Sequence, residues 1–507
     1  MKILLVYPNL GGPVGFHIGL AHLSGALKAH SHEVRLFHLN ADVGFPLDLE
    51  RVAREALDFA PDLVGITACT EEIGGALAVA RQLKSRVRAD LPIVLGGVHA
   101  TLNADEMIGH EELDLVVVGE GEHAIVDIAA AIQQGRDPAG IENVWARRDG
   151  KIVRNRLRPL AQLDELPPMD LELFDVQRLT QIRNGWVDVM WTRGCLYQCT
   201  YCFNKAFRDQ YARNGSSDHT KNYRRSMNPE RFIQGLRSLI AKNPGIKAIS
   251  FVDDDFPRAK GCEEMLGLLH EQIGLPFMIN AHPGSVDEAM AKKLKEAGCD
   301  LVRVGLESGR ERIRKQILGR PMPDAALVAS FARIRAAGLR LQTYNMIGLP
   351  TESREDMLAT LELNARCHTD VVKVMTFIPF PGTELHQTCG SLGLLPEAGP
   401  VGASVHGPSV LRLPDELRLF QEKALEYPDC YLNSLTEGLA DRYRPLLSEL
   451  DGMPREQWDR PEVRASFNAS RDALSAKLLA EKVDHYAIRF SHFAVRLCGG
   501  KDVVATA

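Results

Sequence analysis

Two runs of strand–helix alternation, separated by a polar stretch, constrain the fold before any single residue is considered. In residues 1–145 the apolar runs KILLVYP, EVRLFHL, DLVGITA, PIVLGG and DLVVVGE are short and nearly unbroken. The segments between them, such as IGLAHLSGALKAH (18–30) and ALAVARQLKSRV (76–87), carry apolar residues at helical spacing. Strands buried on both faces read as continuous apolar runs, and parallel neighbours require a crossover, usually helical. The pattern predicts an α/β chain that opens with a five-stranded, doubly wound, Rossmann-like domain. Residues 146–185 are polar and without period; they hold a hairpin signal at RRDGKIVRNR and the pair Pro167 and Pro168, and are expected to form a linker. From 186 to 390 the runs VDVMWT, IKAISFV, PFMIN, DLVRVGL, LRLQTYNMIG and VVKVMTFI recur with helix-like segments between them. Six such units predict a partial (βα)6 barrel, whose site lies at the C-terminal ends of its strands. In 391–507 the strand pattern stops, and LRLFQEKALEYP, LTEGLADRYRPLLSEL, SRDALSAKLLAEKV and YAIRFSHFAVRL predict a helical C-terminal domain.

Charge narrows the partners. With 60 Lys and Arg against 66 Asp and Glu, the formal charge of -6 leaves no basic footprint for nucleic acid or an acidic membrane. A small-molecule substrate is expected. The opening run MKILLVYPNLGG is too short for a signal core or a membrane span, so a cytoplasmic chain is expected. Ten cysteines in 507 residues are too sparse for a disulfide scaffold, so their spacing decides their use.

Three of them form WTRGCLYQCTYCFNKAF (191–207), a Cys-x-x-x-Cys-x-x-Cys array of Cys195, Cys199 and Cys202 just after a strand. A short loop can wrap three thiolates around one [4Fe-4S] cubane and leave the fourth iron open. An open iron can chelate the amino and carboxylate groups of a sulfonium cofactor, and a low-potential cluster can pass one electron into that sulfonium. Homolysis then gives methionine and a 5'-deoxyadenosyl radical. Two alternatives remain at this level. A structural zinc loop would need a fourth Cys or His, which is absent within ten residues on either side; or the three thiols are simply buried. Cys262, Cys299, Cys389, Cys430 and Cys498 are scattered and read as ordinary thiols.

The array resembles the motif of the radical S-adenosylmethionine (SAM) superfamily, and residues 186–385 resemble its partial barrel. The resemblance implies that an aromatic beside the last cysteine, Tyr201 or Phe203, places the adenine; either ring is equally suited to plain core. The strand ends add candidates in the superfamily's order. SFVDDDF crowds Asp253, Asp254 and Asp255, for an ammonium or ribose hydroxyls, or as a helix-capping turn. RVGLESG offers Arg303 for a carboxylate and Glu307 for a ribose diol, if strand alternation keeps them on one face. MIGLPTES brings Ile347 and Gly348 toward an adenine before Thr351 or Ser353 caps a helix, and FIPFPGTEL gives a rigid exit loop containing Pro379. Tyr344, Asn345 and His282 stand near strand ends and are candidates to face substrate.

In the first domain, a doubly wound sheet takes its ligand at the C-terminal strand edge. Candidates there are Asn9 and Gly11; Thr67, Thr70 and Glu71; Gly96, Gly97 and His99; and Gly119, Glu120, Gly121 and Glu122. The paired glycines permit close backbone approach to a large flat ligand, or make a tight turn only. These elements resemble the cobalamin-binding domain that precedes many radical SAM enzymes, including methylases of unactivated carbon and the anaerobic porphyrin-ring cyclase. No Asp-x-His-x-x-Gly stretch occurs, so a histidine ligand below cobalt is not expected. The resemblance implies radical methyl transfer, one SAM methylating cobalamin and a second supplying the adenosyl radical, with a flavodoxin- or ferredoxin-type reductant. The alternatives are a radical ring closure, dehydration or rearrangement without methyl transfer, and a non-catalytic cobalamin or iron-sulfur sensor. Methylthiolation of tRNA would call for a second cluster and a basic tail, and the sequence displays neither.

Overall fold

The computed structural model describes residues 1–12, 14–214, 222–396, 403–490 and 493–498. The first sheet has seven strands, in the order β2-β1-β3-β4-β5-β6-β7. Strands β1 (Lys2–Pro8), β2 (Glu33–Leu39), β3 (Leu63–Thr67), β4 (Ile93–Gly96) and β5 (Leu115–Val117) are parallel. All five residues of β3 are buried, as expected of a strand covered by helices on both faces. The chain reverses direction across the sheet between β1 and β3, and this switch point opens a crevice at the C-terminal edge. Strands β6 (Val144–Arg148) and β7 (Lys151–Arg154) pair antiparallel at the far edge. The hairpin expected within a linker is therefore an extension of the first sheet, anchored by the burial of Val144, Trp145 and Ala146.

The second sheet contains the barrel: β8 (Trp186–Val189), β11 (Ala248–Phe251), β12 (Phe277–Ala281), β13 (Cys299–Glu307), β14 (Arg340–Ile347) and β15 (Val371–Thr376) run parallel in sequential order. A two-stranded ribbon, β9 (Thr192–Arg193) with β10 (Arg225–Ser226), brackets the cysteine loop. The outer wall packs on helices through Val187, Val189, Phe251, Phe277, Val302 and Val304, and the opposite side-chain parity faces the barrel interior.

The C-terminal region contains the expected helices Asp415–Glu426, Ala440–Gly452 and Pro461–Ala480. Residues 486–497 are expected as a helix; the described ones instead fall in β16 (His485–Phe490) and β17 (Phe493–Leu497), and β17 pairs antiparallel with β15. The segment alternates with period two. Tyr486 and Ala494 pack with the helical core, whereas Ala487, Val495 and Leu497 pack on Val371. An edge pair buried on both faces leaves little polar contrast for a period to register.

Candidate functional site

The cysteine loop leaves β8 and is braced from three directions. Thr200 N–H donates to Leu318 O (3.1 Å) and Thr200 Oγ1 to Ile317 O (2.6 Å), so the turn before Arg320 lies on the loop. Leu385 N–H, beyond the β15 exit, donates to Thr200 O (2.9 Å). Beneath it, Asp253 Oδ1 accepts from Trp191 N, Thr192 N and Thr192 Oγ1 at 2.6–3.1 Å.

Cys199 is buried, and Cys195 and Cys202 are partly open. Burial pushes the Cys195 thiol up to about 11 and Cys202 to about 12, with Asp254 and the neighbouring thiols adding to the rise. The three sulfurs therefore share one electrostatic neighbourhood. Among the described residues no three Cys, His, Asp or Glu converge as ligands of a single ion do. A cubane makes a different demand, because each thiolate need only reach its own iron.

The acidic run divides by role. Asp253 is fully buried and occupied in bracing the loop, so it is not available at the mouth. Asp254 is exposed there and accepts from Asn204 Nδ2 at 2.9 Å. Asp255 accepts from His282 N and Ser285 Oγ. His282 stacks on Tyr197 with centroids 3.9 Å apart, and burial lowers it to about 3, so the ring is neutral near pH 7.

At the end of β13 the register shifts between Gly305 and Glu307, and Glu307 sits at φ 68°, a strained left-handed conformation. Simple alternation with Arg303 thus fails. Glu307 Oε1 faces Arg320 Nη1 at 3.8 Å, and the same Nη1 lies 3.5 Å from Cys199 Sγ and from Tyr201 Oη. Burial raises the Glu307 carboxyl, with Arg320 and Tyr201 opposing the rise. The sequence reading missed Arg320, one arginine among many whose proximity to Cys199 arises only on folding. Phe203 is 41% exposed, whereas Tyr201 packs into an apolar cluster with Met346 and Phe377. Pro379 is buried in the exit loop. Ile347 is fully buried among Met357 and Leu361 on the helix side, leaving only its backbone to meet a ligand. Asn345 also faces away, bonding Thr343 Oγ1 and Asn364. Ser353 caps the helix Arg354–Arg366, and buried Glu352, also missed, folds back on Leu349 N–H (3.0 Å).

At the crevice of the first sheet lies a slot of about 220 Å³ lined by Leu5, Leu20, Val94, Val117 and Ile125, with Gly96, Gly97, Gly119 and Glu120 along its rim. A side chain at Gly96 would meet open space, whereas Gly97, at φ 98°, closes on Thr67 Oγ1 at 2.8 Å. Thr67 and Thr70 are buried, Thr70 Oγ1 bonds His99 Nδ1 (3.0 Å), and His99 Nε2 has no partner among the described residues. Burial lowers His99 to about 4, which leaves it neutral. Asn9 is buried, and a Cβ at Gly11 would meet none of the described residues. An apolar slot under a glycine rim, with an open space at Gly96, fits a wide planar ligand with an apolar tail. A larger cavity, about 870 Å³, lies behind β8 among Phe16, Phe174, Val189 and Phe232, and none of the three cysteines lines it.

The two edges are tied by charge. Arg193, two residues before Cys195, reaches Glu120 (3.1 Å) and Glu122 (2.6 Å), and Arg225 binds both oxygens of Glu120. Tyr211 Oη accepts from Glu120 N at 3.1 Å. The glycine rim and the cysteine loop thus open toward one another.

The comparisons with known proteins agree with this arrangement. Residues 11–129 match the model of the B12 binding domain, and residues 189–363 that of the radical SAM superfamily. The chain belongs to the radical SAM superfamily and carries a B12-binding domain. It is 29% identical over 399 residues to an uncharacterized methyltransferase of Pyrococcus horikoshii, covering 76% of this chain and 83% of that protein. It is 23% identical to the anaerobic magnesium-protoporphyrin IX monomethyl ester cyclase of Rubrivivax gelatinosus, over 77% of this chain and 70% of the relative. The solved structure of the radical SAM methyltransferase TsrM from Kitasatospora setae, with cobalamin and a [4Fe-4S] cluster bound, shares the fold at TM-score 0.64 and 18% identity, covering 94% and 99% of the two chains. Among the described residues no helix is long and apolar enough to cross a membrane.

Proposed function

We propose that this radical SAM enzyme cleaves SAM at a [4Fe-4S] cluster held by Cys195, Cys199 and Cys202, and transfers a methyl group, with cobalamin in the first-domain crevice, to a carbon of a small-molecule substrate. When bound, the cluster would supply one electron to the sulfonium and cobalamin would supply a methyl carrier. The chain's own residues supply position. Asp254 would offer a carboxylate to the methionyl ammonium, Glu307, paired with Arg320, would take the ribose, and Tyr201 would supply a ring to the adenine. Gly96, where a Cβ would meet open space, would let the corrin edge approach backbone, while Gly97 and Gly119 turn the chain against Thr67 and Tyr211. His99 is neutral and bonded through Nδ1, so any contact it makes is as a polar neighbour. The observation that carries this reading is the Glu120, Glu122, Arg193 and Arg225 network, which joins the crevice rim to the residue two before Cys195 and so turns both sites onto one interior.

A second reading, radical ring closure without methyl transfer, is favoured by the similarity to the porphyrin-ester cyclase. Anaerobic reconstitution with iron, sulfide and hydroxocobalamin, followed by reduction with SAM, separates the two. Both 5'-deoxyadenosine and S-adenosylhomocysteine are expected, and 5'-deoxyadenosine alone would favour ring closure. Cys199→Ala should abolish 5'-deoxyadenosine; unchanged turnover in that variant would overturn the cluster assignment.

A further inference from the structure

Among the described residues, two cations of the barrel interior form no ion pair. Arg303, on β13, is 9% exposed. Its Nη1 donates to Ser250 Oγ (3.2 Å) and its Nη2 to Phe251 O (2.7 Å), both neutral acceptors, while Nε is buried without a partner. A guanidinium has five N–H donors, so three remain unused, Nε–H among them. Among the described residues no acid lies within ion-pair distance of it. Its register neighbour on β12, Asn280, carries a second buried orphan, Oδ1. Two strands away, the ammonium of half-buried Lys373 of β15 lies over the rings of Tyr344 (5.8 Å) and Phe493 (4.9 Å) and makes no hydrogen bond or ion pair among the described residues. Burial and the charge of Arg303 lower the Lys373 pKa, and Glu71, from the edge of the first sheet, opposes them. Arg303 pairs in register with Gln342 and Gln342 with Val371, so Lys373 stands two positions along β15 from the row of Arg303 and on the same side-chain parity.

A buried charge without a counter-ion costs several kcal/mol, so such a pair is retained only where something else meets it. The guanidinium fork matches a carboxylate or phosphate edge, and an ammonium adds a point charge. Four residues of strand separate Arg303 from Glu307, roughly 13 Å at ~3.3 Å per residue. An anion at Arg303 is thus distinct from the carboxylate that an open iron in the cysteine loop would chelate, which departs from the role alternation suggested. Building on the function proposed above, we infer that Arg303 and Lys373 form an oxyanion subsite and that the methyl acceptor is an acid, a carboxylate or a phosphate ester, seated by its anionic group inside the barrel.

The test reads Lys373 directly and needs no turnover. The reconstituted holoenzyme is acylated with an amine-reactive ester, and modification of Lys373 is measured by peptide mass spectrometry. Inorganic phosphate, acetate or a neutral polyol is present, with chloride holding ionic strength constant. Phosphate or acetate is expected to slow acylation about fivefold at four times its Kd, by simple occupancy. Protection by phosphate alone points to a phosphate ester and by acetate alone to a carboxylate. Arg303→Gln should remove the protection and Arg303→Lys retain part of it, with the bound-cobalamin spectrum reporting that each variant is folded. Saturating SAM should leave the anion effect in place. No protection by either anion overturns the proposal, as does SAM alone protecting Lys373 and cancelling the anion effect. S-adenosylhomocysteine formation is scored separately, so failure of the subsite and failure of methyl transfer are distinguishable.

Discussion

Glu120 allows the tie between the two halves of the enzyme to be weighed. Burial alone would raise its carboxyl, but the hydrogen bonds and charge of Arg225, together with Arg193, outweigh it and hold the group at about 2 against an ordinary 4.5. With 1.36 kcal/mol per pH unit, that depression corresponds to roughly 3 kcal/mol of folded-state stabilisation. Because the folded value lies below the unfolded one, the stabilisation is present above pH ~5 and lost as pH falls toward 2. Glu120→Gln keeps the shape and an acceptor for Ala161 N–H, but leaves Arg225, 9% exposed, without its carboxylate. Breaking one partner of a buried pair costs about 3–5 kcal/mol. For ~500 residues the unfolding entropy is about 1 kcal/mol/K, so a drop in Tm of about 3–5 °C at pH 7 is expected if the transition is cooperative. Differential scanning calorimetry of wild type and variant between pH 7 and 4 gives the answer, and the gap between them should narrow as acid is added. A Tm difference under about 1 °C, or a gap independent of pH, would refute the reasoning.

The glycine rim permits a paired test. Gly96→Ala meets no neighbour, so the apoprotein's Tm should hold while cobalamin retention falls; Gly97→Ala, at φ 98° and 2.8 Å from Thr67 Oγ1, should lower the apoprotein's Tm as well. Absorbance of bound cobalamin after desalting, read beside the melting curve, checks both. Glu307→Gln should weaken SAM binding about tenfold or more by equilibrium dialysis, the cost of exchanging one charge-assisted hydrogen bond for a neutral one; unaltered affinity would detach Glu307 from the ribose.

How much of this was legible in the sequence depended on whether a feature is local. The parallel strands announced themselves because two-sided burial leaves uninterrupted Val, Ile and Leu, and the cysteine loop because its three cysteines lie within eight residues. Asp253 and Asp254 are the same residue type side by side, and only the fold turns one under the loop and the other to the mouth. Alternation on β13 suggested a common face for Arg303 and Glu307, but the register shift after Gly305 released Glu307 from it, a backbone departure with no residue signature of its own. Arg320 had to cross 121 positions of chain to reach Cys199, and Arg225 crosses 105 to reach Glu120. The first pairing is decided by the closure of the barrel and the second by the packing of the two sheets, and no window on the sequence contains both partners. The same reason explains Glu120, named among the candidates for its place at the crevice rim. It does stand on that rim, yet its carboxylate is occupied by two arginines from the barrel, so the residue that borders one site also braces the loop of the other.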